Sequence, residues 1–335
     1  MFKYNVYGIG AALLDTEIEV LDEDLKKLKV EKGLMSLADE TCQNKLTYYL
    51  QSKVRKSYRA SGGSAANSVI AVSEFGGASF FSCRVSDDDN GKFYLNDLKS
   101  SGVKFNKNIT FGATTGKCLV LITPDAERSM ITNLGVSADF SEKDLCPETI
   151  RKSQYLYIEG YLVSTDQGKQ AAIRARQIAE DNSVKVAITL SDPAIVSFFK
   201  NGLQEIIGEK VDLLFCNEAE ALGWTGAADL NGSLQLLKKH ATAYVVTLGK
   251  KGALVFDGKN QFYIKAYETN AINTNGAGDI FAGSFLYAIT QEFDFKVAGD
   301  FAALAASYVV SQGGPRLNSN QYLEVKKSLH KKDTC

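Results

Sequence analysis

Asn273-Thr274-Asn275-Gly276-Ala277-Gly278-Asp279, followed by Ile280-Phe281-Ala282-Gly283-Ser284-Phe285-Leu286, decides how this chain is read. Small residues run directly into an apolar, helix-compatible segment, so backbone amides gather at a helix N-terminus. Such an end offers unpaired donors and a positive dipole, which suits a phosphate group. Asp279 falls in the first turn, beside any anion docked there. A carboxylate in that place is unfavourable unless it has a task. The obvious task is to accept the proton of a hydroxyl that attacks phosphorus. Taken alone, Gly276 to Asp279 read equally well as a turn with an N-cap, where glycine and aspartate are common.

A second segment of the same kind changes that balance. Ser61-Gly62-Gly63-Ser64-Ala65-Ala66-Asn67 leads into the helical pattern Ser68 to Phe75 and ends at Gly76-Gly77. Gly62 and Gly63 let the main chain approach a ligand closely, and Asn67 offers both a donor and an acceptor to sugar hydroxyls.

Composition fits one large α/β unit. The chain has 335 residues, 45% of them hydrophobic, enough to bury a sizeable core. A net charge of −1 gives no basic footprint for nucleic acid, and no stretch reaches the apolar length of a membrane span. The start, Met1 to Val6, reads as a first strand rather than a signal peptide, and the expected compartment is the cytoplasm. Six cysteines (Cys42, Cys83, Cys118, Cys146, Cys216 and Cys335) lack CxxC spacing, and only His240 and His330 could join them, so neither a zinc nor a disulfide framework is expected.

Short β-branched runs alternate with helical patterns. Lys3 to Gly8, Ser79 to Val85, Tyr155 to Glu159, Val184 to Leu190, Val211 to Cys216, Tyr244 to Leu248 and Ala253 to Asp257 read as buried strands. Gly168 to Asp181, Asp229 to His240, Gly276 to Thr290 and Phe295 to Gln312 read as helices, the last closed by Gly313-Gly314-Pro315. The alternation predicts a mainly parallel sheet covered on both faces. The region from Asp15 to Arg59 breaks the rhythm, with strand signals at Glu17 to Val20, Leu34 to Leu37 and Ser57 to Ala60 around a helical pattern at Asp39 to Lys53.

In order along the chain stand Gly8-Ile9-Gly10-Ala11-Ala12-Leu13-Leu14-Asp15, Gly62 to Asn67, Val85 to Gly91, Asn217-Glu218-Ala219-Glu220, Thr247-Leu248-Gly249-Lys250-Lys251-Gly252 and Gly276 to Asp279. Through these six collinear motifs, nearly the whole chain resembles the ribokinase-like (PfkB) carbohydrate kinases. Thr115 to Met130 and Tyr157 to Leu162 look most like the adenosine-kinase branch. The resemblance implies a three-layer sandwich with a mainly parallel central sheet and a small β-rich lid. Residues 1–14 and 61–335 would form the α/β nucleotide-binding domain and 15–60 the lid, with strands within 104–133 possible additions. An edge extension of the main sheet or a dimer contact is the alternative for the lid region. A lid is favoured because water must be kept from the phosphoryl donor. The molecule would be a monomer or a homodimer through that lid.

The chemistry follows from charge. Asp279 would take the proton of a primary hydroxyl, and the amides of Asn275, Gly276, Ala277 and Gly278 would stabilise oxygens that gain charge. Asp15, just past an apolar strand end, can take two vicinal hydroxyls, or can be a turn residue. The resemblance adds Gly62, Gly63, Ser64 and Asn67 to the sugar contacts and brings Arg128 to the transferring phosphate. On composition alone Arg128 is a solvated side chain or an ion pair with Asp125 or Glu127. Thr247, Gly249 and Gly252 read as an ATP phosphate grip or a plain β-turn. Asn217 and Glu220 share one face at a strand end, and the resemblance places them around Mg²⁺ and phosphate, Glu220 through water. Leu34 and Met35 would cover a purine or fill core.

Two departures matter. The family usually carries Asp where this chain has Asn273, which removes a charge from any monovalent-cation site. Adenosine kinases commonly carry Asn at the position of Ala11, where it helps hold the nucleoside. The expected function is an ATP-dependent, Mg²⁺-assisted phosphotransferase acting on the primary hydroxyl of a nucleoside, adenosine favoured. A kinase of a free sugar or sugar acid is the alternative, and a non-catalytic ligand sensor the third reading.

Overall fold

The computed structural model describes residues 2–51, 57–106 and 108–330. Nine strands form the main sheet, in the order Gln261–Ile264, Ala253–Phe256, Ala241–Thr247, Val211–Asn217, Lys185–Thr189, Ser153–Glu159, Tyr4–Ile9, Ser79–Ser82 and Lys104–Phe105. Neighbours from Ala241–Thr247 to Lys104–Phe105 pair in parallel, and the two strands at the other edge are antiparallel. Parallel strands need covered faces, and both are covered. On one face Val6, Phe81, Phe215 and Val245 pack against Phe285 and Phe301 of the helices Ala277–Thr290 and Phe295–Val310. On the other, Ile158, Ile188 and Val246 pack against Ala175 of Asp166–Asp181 and Leu203 of Pro193–Ile207. This is the expected three-layer α/β arrangement.

The helices start where short polar side chains can cap them. Thr165, Asp192, Asp229 and Asp294 each accept a hydrogen bond from an amide of the following turn, and Pro193 stands at the first turn, where its missing N–H costs nothing. The run read as one strand from Ser79 to Val85 is divided. The main-sheet strand stops at Ser82, and Val85–Ser86 forms a separate pair with Ile109–Thr110. A further helix, Ser319–His330, follows the one expected to be last and carries the buried Tyr322, Val325 and Leu329 onto Phe75's side of the core.

A second sheet orders its strands Met35–Leu37, Arg128–Gly135, Thr115–Ile122, Leu13–Glu19 and Ser57–Gly62. Alternation sends Ile18, Leu119, Leu121 and Ile131 to one face, where they meet Leu25 of Asp22–Leu28 and Leu46 and Leu50 of Glu40–Gln51. The opposite face looks into a cleft over the main sheet. Pairing lines up Asp15, Cys118, Thr132 and Leu37 in one row across it, and Glu17, Val120, Met130 and Met35 in the next. The expected helical pattern ran to Lys53, which lies outside the described residues. Among the described residues no helix is long and apolar enough to cross a membrane.

Candidate active site

Strand order reverses at Tyr4–Ile9, whose two parallel neighbours lead in opposite directions along the sheet. In open α/β sheets ligands bind beyond the strand C-termini at such a switch point. A cleft of about 970 Å³ lies there, closed above by the second sheet. Its wall runs from Asp15, Gly63, Ser64 and Asn67, past Arg128 and Asn275 to Asp279, to Asn217, Glu220, Thr247, Gly249 and Gly252. Five of the six sequence motifs thus meet at a single cleft, Asp279 among them.

Gly276 precedes the helix Ala277–Thr290 with φ 75°, the left-handed region where glycine is at ease. A side chain there would also run into Pro315. This turn aims the first amides of the helix into the cleft. The amide of Ala277 bonds back to the carbonyl of Thr274 at 3.3 Å. The amides of Gly278 and Asp279 have no protein acceptor among the described residues, as expected of a helix start.

The Asp279 carboxylate is half-buried and faces the cleft. Ser64 Oγ donates to its Oδ1 at 2.6 Å, and Asn67 Nδ2 to its Oδ2 at 2.9 Å. Burial raises its pKa, while the bonds from Ser64 and Asn67 and the charges of Arg128 and Arg316 pull it back. Ser64 and Asn67, expected to touch the sugar, therefore also hold the expected base. Gly62 does not line the cleft. It leaves room for the Asp15 carboxylate, which a side chain at that position would overlap, and its carbonyl accepts from Tyr94 Oη at 3.0 Å.

Asp15 is buried, and its pKa is pushed up to about 8 by desolvation first and by Glu17 and Asp279 next, against Arg316 and a hydrogen bond with Asn275. Glu159 caps the strand Ser153–Glu159 and accepts from the amides of Ala11 at 3.2 Å and Ala65 at 2.8 Å. Burial still carries it up to about 7. Arg128 lines the cleft half-buried, and its charge works against the rise that burial gives the pKa of Asp279, Asp192 and Glu220. Asp125, one of its proposed ion-pair partners, pairs instead with Lys32 at 2.8 Å.

Asn217 and Glu220 form a capping box at the start of Glu218–Thr225. The Asn217 amide and side chain donate to the two Glu220 oxygens at 3.0 and 2.5 Å, and Asn217 Oδ1 accepts from the Glu220 amide at 2.8 Å. Burial raises Glu220 to about 7. No cluster of three or more potential metal-ligating His, Cys, Asp or Glu side chains occurs among the described residues. That donor set suits a hydrated cation carried on phosphates better than a protein-built cage. Asn273 uses both ends of its amide, donating to Glu17 Oε2 at 3.0 Å and accepting from the Asn275 amide at 2.8 Å.

Three residues of this constellation are given no role by the sequence. Glu17 reads as one polar position in an alternating strand, Glu159 as a strand end, and Arg316 as a residue after a stop signal. Only the folded chain brings them to Asn275, Ala65 and Asn67.

A carboxylate beside a glycine-rich helix start, in a cleft at the switch point under a second sheet, is an arrangement suited to phosphoryl transfer to an alcohol. The model of the pfkB family carbohydrate kinases matches residues 39–321. The chain belongs to that family and is a nucleoside or sugar kinase with its ribokinase-like fold. It is 25% identical to the adenosine kinase of Saccharomyces cerevisiae over 93% of this chain and 96% of that protein. Among solved structures, the adenosine kinase of Sinorhizobium meliloti superposes with a TM-score of 0.92 at 30% identity, covering 97% of this chain and 99% of that one. A probable sugar kinase from Rhizobium etli gives 0.92 at 28% identity, over 98% and 100% of the two chains.

Proposed function

We propose that the chain transfers the γ-phosphoryl group of ATP to the primary hydroxyl of a nucleoside, adenosine favoured. The observation that carries the choice of acceptor is the face of the second sheet over Asp15. Leu13, Met35, Leu37, Met130 and Leu134 line the cleft there with Cys118 and Thr132. A flat ring buries well against such an apolar wall, whereas a free sugar needs polar groups on every side. Asp15, in the same row of that face as Cys118 and Thr132, is suited to a vicinal diol, which leaves the primary hydroxyl directed to Asp279.

In this reading Asp279 accepts the hydroxyl proton as the oxygen attacks phosphorus, and the bond from phosphorus to the bridging oxygen of the leaving ADP breaks. The Gly278 and Asp279 amides and the Arg128 guanidinium meet the charge that builds on the phosphoryl oxygens. Thr247, Gly249 and Gly252 flank the donor phosphates. Mg²⁺, held on those phosphates near Asn217 and Glu220 through water, would supply charge neutralisation. Asn273 engages both ends of its amide within the protein, which supports a reading without a monovalent-cation ligand at that side chain.

The test is turnover of ATP with Mg²⁺ against a panel of nucleosides, pentoses and hexoses, in wild type and Asp279→Asn. Nucleosides should be phosphorylated, and the variant should lose a factor on the order of 10²–10⁴ or more in kcat. Turnover with hexoses or pentoses alone would replace the nucleoside reading with the sugar one. Wild-type kcat in Asp279→Asn would remove the proposed base.

A further inference from the structure

Directly behind the Asp279 carboxylate, on the side away from the cleft, lies a polar cluster that the reaction as written does not use. Arg316 stands in the loop between the helices Phe295–Val310 and Ser319–His330, and its side chain is only 14% exposed. Its Nε donates to Asn67 Oδ1 at 3.0 Å. Nη1 donates to Asp97 Oδ2 at 2.6 Å, and Nη2 reaches the carbonyl of Ser61 and, at 2.8 Å, its hydroxyl. Every edge of the guanidinium is thus held, by acceptors on three separate elements.

An arginine can only donate, so the end of the Asn67 amide that meets it must be the oxygen. The NH₂ end is then forced toward Asp279, which can only accept while ionised. We propose that Arg316 is a positioning residue for the phosphoryl-transfer base: it fixes the Asn67 amide in the one orientation that donates to Asp279. The inference rests on Asp279 being that base. With Ser64 on the other oxygen, the carboxylate keeps one rotamer, and its free lone pairs point at the cleft. Without Arg316 the amide is free to turn, and its oxygen would then oppose the carboxylate.

The charged and titratable groups facing Asp279 are Arg128 and Asp15 from the second sheet, Tyr157 and Glu159 from the main sheet, Arg316 behind, and Glu220 and Tyr161 farther along the cleft. Removing Arg316 takes away one of the two cations that favour ionised Asp279. The acid limb of the kcat profile, which reports protonation of the base, then moves to higher pH.

Arg316→Gln, Arg316→Lys, Asn67→Ala and the Arg316→Gln/Asn67→Ala double variant, measured beside Asp279→Asn, test this. Arg316→Gln should lower kcat by roughly 10- to 100-fold with little change in either KM, and should shift the acid limb up by on the order of one pH unit. Arg316→Lys, which keeps the charge but donates from a single point, should hold the limb in place and recover only part of kcat. The double variant should lose little more than Asn67→Ala alone, because one acts through the other. A folded Arg316→Gln with wild-type kcat and acid limb overturns the proposal, as does full additivity in the double variant. Should Arg316→Gln not fold, wild-type kcat in Arg316→Lys overturns it equally. If Asp279→Asn keeps its turnover the base itself is misassigned, whereas an inactive Asp279→Asn beside unaltered Arg316 variants removes only this inference.

Discussion

Glu17 offers the sharpest test of how the second sheet is fastened to the anion cradle. It sits on the strand Leu13–Glu19, is 6% exposed, and accepts three hydrogen bonds. Asn273 Nδ2 and the Gly314 amide donate to Oε2, each at 3.0 Å, and Asn275 Nδ2 donates to Oε1 at 2.9 Å. One side chain thereby ties the second sheet to the Asn273–Gly276 turn and to the loop that carries Arg316. Glu17→Ala leaves three buried donors without a partner, at about 1–3 kcal/mol each, and water entering the space recovers part of that. A net loss of about 3–6 kcal/mol follows. With roughly 2 cal/mol/K of unfolding entropy per residue, a 335-residue chain should then melt about 4–9 °C lower. Glu17→Gln keeps one oxygen for Asn273 and Gly314 and turns an NH₂ toward Asn275, so it should cost about a third as much. Melting followed by circular dichroism, with kcat measured on the same samples, gives both readouts, and kcat should fall because the Gly276 turn loses its anchor. A Glu17→Ala protein melting within about 1 °C of wild type, with unchanged kcat, would show that the clamp contributes nothing.

The two outer glycines of the cradle should respond differently. Gly276→Ala forces a side chain into a left-handed turn against Pro315, whose Cα would lie 2.7 Å from the new Cβ, and should cost about 1–3 kcal/mol along with at least tenfold in kcat. Gly278→Ala meets nothing within 4 Å, so melting should hold while KM for ATP rises, because the new methyl stands on the exposed amide surface. Stability should also fall with pH. Burial raises Asp15 to about 8 and Glu159 and Glu220 to about 7. From the ordinary carboxylate range up to those values the folded chain keeps protons that the unfolded chain has released, so each step up in pH favours unfolding. The melting temperature should decline from about pH 5 to pH 8, and Asp15→Asn should flatten the upper part of the decline; a rise over that interval would contradict the buried-acid reading.

The sequence makes the sheet and the cradle legible because both are local patterns. Apolar runs such as Val211 to Cys216 state a buried strand, and Gly276 to Asp279 followed by an apolar run state a helix start. Where one apolar run covers two short elements, as at Ser79 to Ser86, periodicity cannot show the break; backbone pairing with Ile109–Thr110 creates it. Ser319–His330 went unseen because its mixed composition gives a weak pattern, and Gly313-Gly314-Pro315 reads as an end rather than a connector. The partners of Asp279 were visible as residue types but not as contacts. Ser64 and Asn67 stand more than 200 positions away and meet it only when helix Ser64–Glu74 packs on helix Ala277–Thr290. Arg316 and Glu17 stand just past the segments Gly313-Gly314-Pro315 and Gly8 to Asp15, but no local pattern says what either side chain contacts.

The way Asp279 is held suits the proposed role of base. A direct ion pair would fix the carboxylate firmly but would lower its pKa and occupy the lone pairs that must receive a proton. No bond to a cation reaches it among the described residues; its partners there are a hydroxyl and an amide, both neutral. Arg316 stands one amide farther back, where its charge is felt without a bond to the carboxylate. Burial raises the pKa of Asp279, which works against an acceptor of protons. Two arginines, one in the cleft and one behind Asn67, pull against that rise. In the proposed role, charges at a distance favour the ionised carboxylate and neutral groups in contact orient it, a division of labour that leaves its open face to a substrate hydroxyl.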